Sequence, residues 1–365
     1  VNERIKRQYF IFLKEAKRYS EPTIDTCAKS ISRFEAYTNY RDFKVFHFEQ
    51  AVAFKRNLTE QKGQQSGEKL SKATLYSTVT QLKRFFQWLA LQPGYKSRLQ
   101  YSDAEYFNLS DKDTRIATTR REQKFPTMEQ IKHVINSMPV ETDLERRNRA
   151  LVSFTILTGA RDSAIASLKL KHIDLITGCV NHDARDVNTK FSKTFNTFFF
   201  PVGEEISLIV SEWVSFLRNE KLWGNEDPLF PATRIELNDN KQFQTGGLSK
   251  DHWSNATPIR KIFHDAFESA GLPYFNPHSF RNTLVHLALN VCKTPEQFKA
   301  WSQNLGHEKV LTTFLSYGEV ACQRQGEIIR NLATPENRMS TDADDIAEAV
   351  YRKFCSSGMG IKKGS

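Results

Sequence analysis

The chain has 365 residues, 39% hydrophobic and 26% charged, a composition typical of a soluble globular protein with enough length for two domains. Its longest apolar runs, such as residues 154–157 and 198–200, are too short to span a bilayer, and the N-terminus lacks the apolar region of a secretory signal. The five cysteines are odd in number and form no CxxC pair, which predicts reduced thiols in a cytosol.

The net charge of +10 is concentrated at one end of the chain. Residues 1–100 hold 19 basic and 9 acidic side chains, whereas residues 101–125 hold 5 of each and the remainder holds 28 of each. A basic segment joined to a neutral one predicts a module that binds a polyanion, attached to a second unit. On charge alone, a solvated basic surface is an equal alternative.

The first hundred residues are predicted to form a helical bundle. Apolar residues recur at helical spacing through residues 2–19 and again after Pro22, which suits the first turn of a helix. A third helix is expected over 47–59, and Ser71 is placed to cap a fourth. We therefore expect a compact and basic helical domain over 1–100.

Residues 101–125 are polar and aperiodic, which predicts a linker to a second domain over 126–335. Aromatic and β-branched residues flanked by turns predict a small β-sheet within 172–202, and the stretch 236–254 is expected to be a surface loop. The end of the chain, 336–365, is expected to hold one helix and a disordered tip. The predicted fold is thus mainly α with a small β-sheet, with helices in the second domain at about 127–138, 143–158, 204–220, 256–270, 279–290, 295–303 and 309–316.

Five short motifs of the second domain carry side chains suited to one reaction. Two arginines, two histidines and a lysine can hold a phosphate and its extra transition-state charge, and cations beside a phenol lower the cost of forming a phenolate. No acidic cluster has the spacing to hold Mg²⁺, so neither a metal nor another cofactor is expected. Each motif alone is commoner as a cap, a turn, a solvated helix face or core. Their order together predicts attack by a tyrosine on a phosphodiester, with these residues: Arg161 in TGAR, Lys190 and Lys193 in TKFSKT, His278 and Arg281 in HSFR, His307 in LGH and Tyr317 in SYG.

This order of motifs resembles the tyrosine recombinase (phage integrase) family over about 126–335, and the basic bundle is similar to that family's core-binding domain. The fold implied is a helical core-binding bundle followed by an α+β catalytic domain. The resemblance also implies a role for each of six residues: Arg161 and Arg281 hold the scissile phosphate, His278 assists proton transfer at the tyrosine, His307 bonds the phosphate, Lys190 protonates the leaving 5′ hydroxyl, and Tyr317 is the nucleophile.

The sequence departs from the family pattern at two of these motifs. The family usually carries an acid three residues after the first arginine, but this chain has Ala164 there and Asp162 nearby. The tyrosine usually follows the LGH histidine by nine residues, whereas here Ser316 is the ninth and Tyr317 the tenth. We expect the tyrosine to remain the nucleophile, because a serine alcohol is not expected to replace the phenol.

A third departure concerns the general acid. The β-hairpin contains two lysines, and the TK dipeptide favours Lys190. Lys193, however, lies at the family's usual distance from the proline that closes the next strand, here Pro201. The assignment of the general acid between these two lysines therefore stays open at the level of sequence.

The resemblance implies a site-specific recombinase that acts on duplex DNA through a 3′-phosphotyrosyl bond and a Holliday junction. It also implies a tetramer on DNA in which the C-terminal helix, at about 342–354, docks on a neighbouring protomer, with no membrane partner. We expect no separate arm-site domain ahead of the bundle, which favours a simple recombinase of a mobile element in the bacterial cytoplasm, associated with the nucleoid. Two alternatives are an enzyme that nicks and closes DNA like a type IB topoisomerase and a DNA-binding protein with a degenerate site.

Overall fold

The structure is a computed structural model, and it describes residues 2–62, 67–119, 124–189, 192–237 and 242–307. The chain divides into two compact units, Val1–Arg121 and Glu122–Ser365, here called unit 1 and unit 2. The predicted fold class is confirmed, since the described residues are mostly helical with small antiparallel sheets. Among the helices of these ranges, none has the length and apolar character needed to cross a membrane.

Unit 1 is a helical bundle in which the predicted first four helices are present. Ser71 caps the fourth by accepting a hydrogen bond from the Thr74 amide, and Pro22 lies in the first turn of the second. The first helix continues into a π-helical turn at Phe12–Ala16. The helices are α1 (Glu3–Ile11), α2 (Glu21–Tyr37), α3 (Phe48–Glu60), α4 (Lys72–Leu89) and α5 (Asp111–Thr118).

The core of unit 1 is aromatic. It includes residues beyond position 100, where a linker was expected. Phe46 stacks on Phe86 with ring centroids 3.8 Å apart, and Phe107 packs on the same ring at 5.7 Å. Phe107 belongs to a 3₁₀ helix, Tyr101–Phe107, so the chain beyond residue 100 is still part of the bundle. The α-helical pattern missed this element because a 3₁₀ helix has three residues per turn, which turns Ala104 and Phe107 to the same side.

Unit 2 contains the helices that periodicity predicted between residues 127 and 303. Several begin with a capping box, in which a threonine and a side chain three residues later satisfy each other's backbone amides, as for Thr142 and Glu145. The helix expected at 309–316 and the tail helix lie outside the described residues. The helices are α6 (Met128–Ser137), α7 (Asp143–Thr158), α8 (Asp162–Ile165), α9 (Glu204–Ser215, continued by a π-helical turn at Phe216–Glu220), α10 (Thr257–Ser269), α11 (Ser279–Val291) and α12 (Pro295–Asn304).

The predicted sheet is present as three antiparallel strands in the order β1-β2-β3: β1 (Ile173–Asp174), β2 (Cys179–His182) and β3 (Phe195–Phe198). The predicted surface loop at 236–254 is wrong in part, because β4 (Thr233–Leu237) and β5 (Phe243–Leu248) form a hairpin there. The side chains of β4 are mostly exposed, and Gly246 and Gly247 lie in β5. A hairpin with no buried face has no alternation of apolar and polar residues to reveal it.

Helix α7 runs through the core of unit 2 and leads to the site. Its second half is buried on all sides, and Phe154 packs edge-on against Phe230 with centroids 5.2 Å apart. The helix ends at Gly159, which has the left-handed conformation with φ of 60°. This sharp end positions Arg161 at the start of the short helix α8.

Candidate active site

The glycine of the TGAR motif allows three segments to meet. A Cβ atom on Gly159 would lie 2.8 Å from a Leu305 methyl carbon and 3.0 Å from one of Leu284, closer than packed atoms approach. The left-handed φ and this close packing both require glycine. The carbonyl of Gly159 then accepts a hydrogen bond from Arg281. The motif therefore ends a core helix, admits α11 and the end of α12, and presents Arg161 two residues later.

Arg281 connects the predicted motifs to one another. It lies in the first turn of α11 and is 4% exposed. Its guanidinium donates to the carbonyls of Gly159 and Leu305, and Nη2 lies 3.0 Å from Nε2 of His307. Because an arginine carries donors only, Nε2 of His307 is the acceptor, and the proton of a neutral imidazole is then on Nδ1. Residues that are far apart in the sequence thus form one hydrogen-bonded group.

Arg161 and Arg281 line a common pocket with the ends of the small sheet. Burial lowers the pKa of both arginines, and the charge of Arg161 adds to the effect at Arg281, whose pKa falls to about 9. Two cations are therefore held in a poorly hydrated place without a compensating anion from the lining, which suits an anionic ligand. No carboxylate is among the described lining residues, which are Gly159, Ala160, Arg161, Ala164, His182, Asn188, Thr189, Phe195, Thr197 and Arg281.

The missing acid after Arg161 is not replaced by Asp162. That carboxylate pairs with Arg260, with Oδ2 and Nε 2.8 Å apart. Ala164 lines the pocket and offers no side-chain acceptor. Within the described ranges, the Arg161 side chain has no hydrogen-bond acceptor. The orientation of this guanidinium therefore depends on something other than a neighbouring carboxylate.

The remaining predicted residues differ in their position and exposure. His278 is the residue before α11, and its carbonyl accepts from the Arg281 amide at 3.1 Å. His278 is exposed, whereas Arg281, three residues later, is buried. Lys193 is half-buried, and its carbonyl accepts from Thr189 Oγ1 at 2.8 Å. Lys190 and Tyr317 lie outside the described residues.

His182 was not among the predicted site residues, yet it lies in the pocket. Alternation along β2 turns Val180 and His182 inwards, and the imidazole stacks on Phe195 with centroids 4.5 Å apart. Gly306 packs against the Phe195 ring of this pair, since a Cβ there would lie 2.9 Å from it. The alternation of CVNH could have indicated an inward histidine, but nothing in the sequence indicated which residues it would face.

The chain matches a family of known proteins. Residues 124–324, more than half of the chain, match the model of the phage integrase family. The chain belongs to the phage integrase family. This integrase-family chain is 24% identical over 335 residues to tyrosine recombinase XerC of Lactobacillus delbrueckii subsp. bulgaricus, an alignment that covers 87% of this chain and 95% of that protein. With tyrosine recombinase XerD of Haemophilus influenzae it shares 23% over 250 residues, or 64% of this chain and 75% of that one.

Solved structures of integrases share the fold of this family member. An integrase of the Tn1549 transposon in complex with transposon right end DNA superposes with a TM-score of 0.59 at 13% identity, over 90% of this chain and 99% of that one. A lambda integrase dimer bound to a COC′ core site gives 0.56 at 13% identity, over 86% and 95%. The family and the enzyme class predicted from the sequence, a tyrosine recombinase that transfers DNA strands, are confirmed.

Proposed function

We propose that this chain is a site-specific recombinase that cleaves and rejoins duplex DNA through a 3′-phosphotyrosyl bond on Tyr317, by way of a Holliday junction. The observation that supports it is the convergence of Arg161 and Arg281 on a pocket whose described lining has no carboxylate, with His307 bonded to Arg281. Arg281 is buried and Arg161 is partly buried, and donors in such a place suit a phosphodiester, whose negative charge spreads over two non-bridging oxygens.

In the proposed reaction each residue either stabilises charge on the phosphate or transfers a proton. Arg161 and Arg281 donate to the non-bridging oxygens and stabilise the charge added as the tyrosine oxygen attacks phosphorus. His278 assists transfer of the phenol proton, and His307 forms a hydrogen bond with the phosphate. The bond to the 5′ oxygen breaks as the 3′ phosphotyrosine forms. Lys190 gives that oxygen its proton.

The proposed partners are duplex DNA and further copies of this chain. Lambda integrase has been solved as a tetramer bound to a Holliday junction, with a TM-score of 0.53 to this chain at 11% identity. We propose the same kind of tetramer here, with the tail helix at about 342–354 docked on a neighbouring protomer. The basic residues of 1–100 would follow the DNA backbone, and 126–335 would supply the chemistry, at the bacterial nucleoid.

The test is trapping of the intermediate. Full-length protein is incubated with a pool of nicked duplexes of randomised sequence, in which the short cleaved strand diffuses away and prevents religation. We expect a covalent adduct that withstands denaturant, carries DNA by its 3′ phosphate and maps by peptide analysis to Tyr317. Sequencing the trapped ends identifies the DNA site. Mapping to Ser316, or no adduct at all, would contradict the proposal, and relaxation of plasmids lacking the site would favour a topoisomerase.

Separate substitution of the two hairpin lysines tests the general acid. A 5′-bridging phosphorothiolate releases a thiolate, which leaves without a proton, so a missing general acid does not slow it. We expect Lys190→Ala to cleave ordinary DNA about 100-fold slower and to recover on the phosphorothiolate substrate. Lys193→Ala, the matched control from the same hairpin, is expected to be mildly affected on both. The reverse pattern would assign the role to Lys193.

A further inference from the structure

His182 is a buried imidazole in the active-site pocket that the proposed chemistry does not use. It is 1% exposed, and it stacks on Phe195, its partner across the sheet. Neither ring nitrogen has a hydrogen-bond partner among the described residues. A buried polar group without a partner costs free energy, so a native structure normally supplies one. The partner of His182 must then be something other than a described protein group.

The pocket limits what this partner can be. Arg161 and Arg281 line it together with His182, and both arginines offer donors only. The cavity volume is about 10 Å³, which is enough for about one water molecule. A water molecule can accept from a guanidinium and donate to an imidazole nitrogen at the same time. The site also meets the polar requirement for buried water, because several polar groups surround one small space.

His182 has the protonation state that such a bridge requires. Burial lowers the pKa of His182 to about 4, and the positive charges of Arg281 and Arg161 and the nearby His172 act in the same direction. The ring is therefore neutral at physiological pH. One nitrogen of a neutral imidazole accepts a hydrogen bond, which a protonated ring would not do.

We propose that His182 is a positioning residue whose imidazole accepts a hydrogen bond from one water molecule, which in turn accepts from the guanidinium groups of Arg161 and Arg281. The inference rests on the proposed function, since it concerns the orientation of the two arginines that hold the scissile phosphate. The bridge ties both guanidinium groups to the sheet and gives Arg161 the acceptor that Ala164 does not provide. Arg161 keeps its other N–H groups for the phosphate oxygens, and Arg281, which already bonds Gly159, Leu305 and His307, keeps one of its five.

The experiment compares two substitutions of His182 in the full-length protein. His182→Phe keeps a ring against Phe195 and removes both nitrogens, whereas His182→Gln keeps a donor and an acceptor. Single-turnover cleavage is measured on the nicked duplex that carries the trapped site. We expect His182→Phe to cleave about 10- to 100-fold slower with unchanged DNA affinity, because the arginines are misoriented, and His182→Gln to recover most of the rate.

A second buried histidine provides the matched control. His172 is 4% exposed, and its Nδ1 accepts from the Lys169 amide at 2.9 Å, but it does not line the pocket. His172→Phe is expected to lower the melting temperature and to leave the cleavage rate at the wild-type level. This control separates a loss of general stability from a loss of orientation at the site.

The pH dependence distinguishes a neutral bridge from a proton donor. If His182 acts as a neutral acceptor, the ratio of wild-type to His182→Phe rates stays constant between pH 6 and 8. A ratio that changes through about pH 6.5 would assign a titrating imidazole and overturn the inference. If His182→Phe fails to fold, the cleavage rate of His182→Gln and ¹⁵N-histidine NMR of the wild type show whether His182 is a neutral acceptor. A protonated His182 at pH 6 in that spectrum would also overturn it.

The remaining outcomes separate this inference from the proposed function. Wild-type cleavage by His182→Phe, or an equal defect in His182→Gln, would overturn the water bridge and leave the phosphotyrosyl chemistry intact. No adduct from the wild-type protein would overturn the proposed function, and the inference with it.

Discussion

Replacing Tyr317 with phenylalanine is expected to abolish the covalent protein–DNA adduct while DNA binding stays near the wild-type level. The change removes one hydroxyl oxygen and nothing else, and that oxygen is the proposed nucleophile. Loss of a nucleophile that acts as part of a catalytic group lowers the rate by roughly 10⁴-fold or more. The measurement is adduct formation on the nicked duplex, beside a binding assay on the intact duplex.

Ser316→Ala is the matched control for the tyrosine. It removes the neighbouring hydroxyl, which stands at the family's usual spacing from the LGH histidine. Full adduct formation by Ser316→Ala together with none by Tyr317→Phe would assign the phenol. An adduct that persists in Tyr317→Phe and disappears in Ser316→Ala would mean that the added residue has changed the nucleophile.

Replacing Arg281 with lysine is expected to have the second largest effect, a loss of roughly 10²- to 10³-fold in cleavage rate. The guanidinium reaches the Gly159 and Leu305 carbonyls and His307 at once. Lysine keeps the charge, but its ammonium cannot reproduce this planar fork. Each hydrogen bond of a charged group contributes about 1.5–3 kcal/mol, so we also expect a lower free energy of unfolding. Cleavage and urea unfolding of the full-length protein are measured together.

Arg147 provides the control that separates the two effects. Like Arg281 it is 4% exposed, and its Nη1 donates to the Pro231 carbonyl at 2.9 Å and to Thr233 Oγ1 at 3.0 Å. It stacks 5.0 Å from the ring centre of Trp253 and lies outside the active-site pocket. Arg147→Lys is expected to reduce stability and to retain cleavage. If both variants lose cleavage in proportion to stability, Arg281 has only a structural role.

The helices and the family could be predicted from the sequence because both depend on local order. The stripe of α4 and its cap at Ser71 are relations between residues a few positions apart. The motif order from Arg161 to Tyr317 is likewise readable along the chain. The predictions that failed are those in which local pattern carries little information. The 3₁₀ helix that brings Phe107 into the bundle has three residues per turn, which the α-helical pattern does not detect. The β4–β5 hairpin is mostly exposed, so it shows no alternation of apolar and polar residues.

The geometry of the site was decided by tertiary structure. Arg281 meets the Gly159 carbonyl across 122 positions of the chain, and no spacing rule specifies such a contact. The place of His182 was also decided by tertiary structure. Strand alternation predicts that its side chain points inwards but does not predict which residues surround it. The sequence by itself determined which residues are available and which helices and strands carry them. Close packing at Gly159 and Gly306 decided which of those residues share one pocket, since neighbouring side chains can pack against the backbone there only because a Cβ atom is absent.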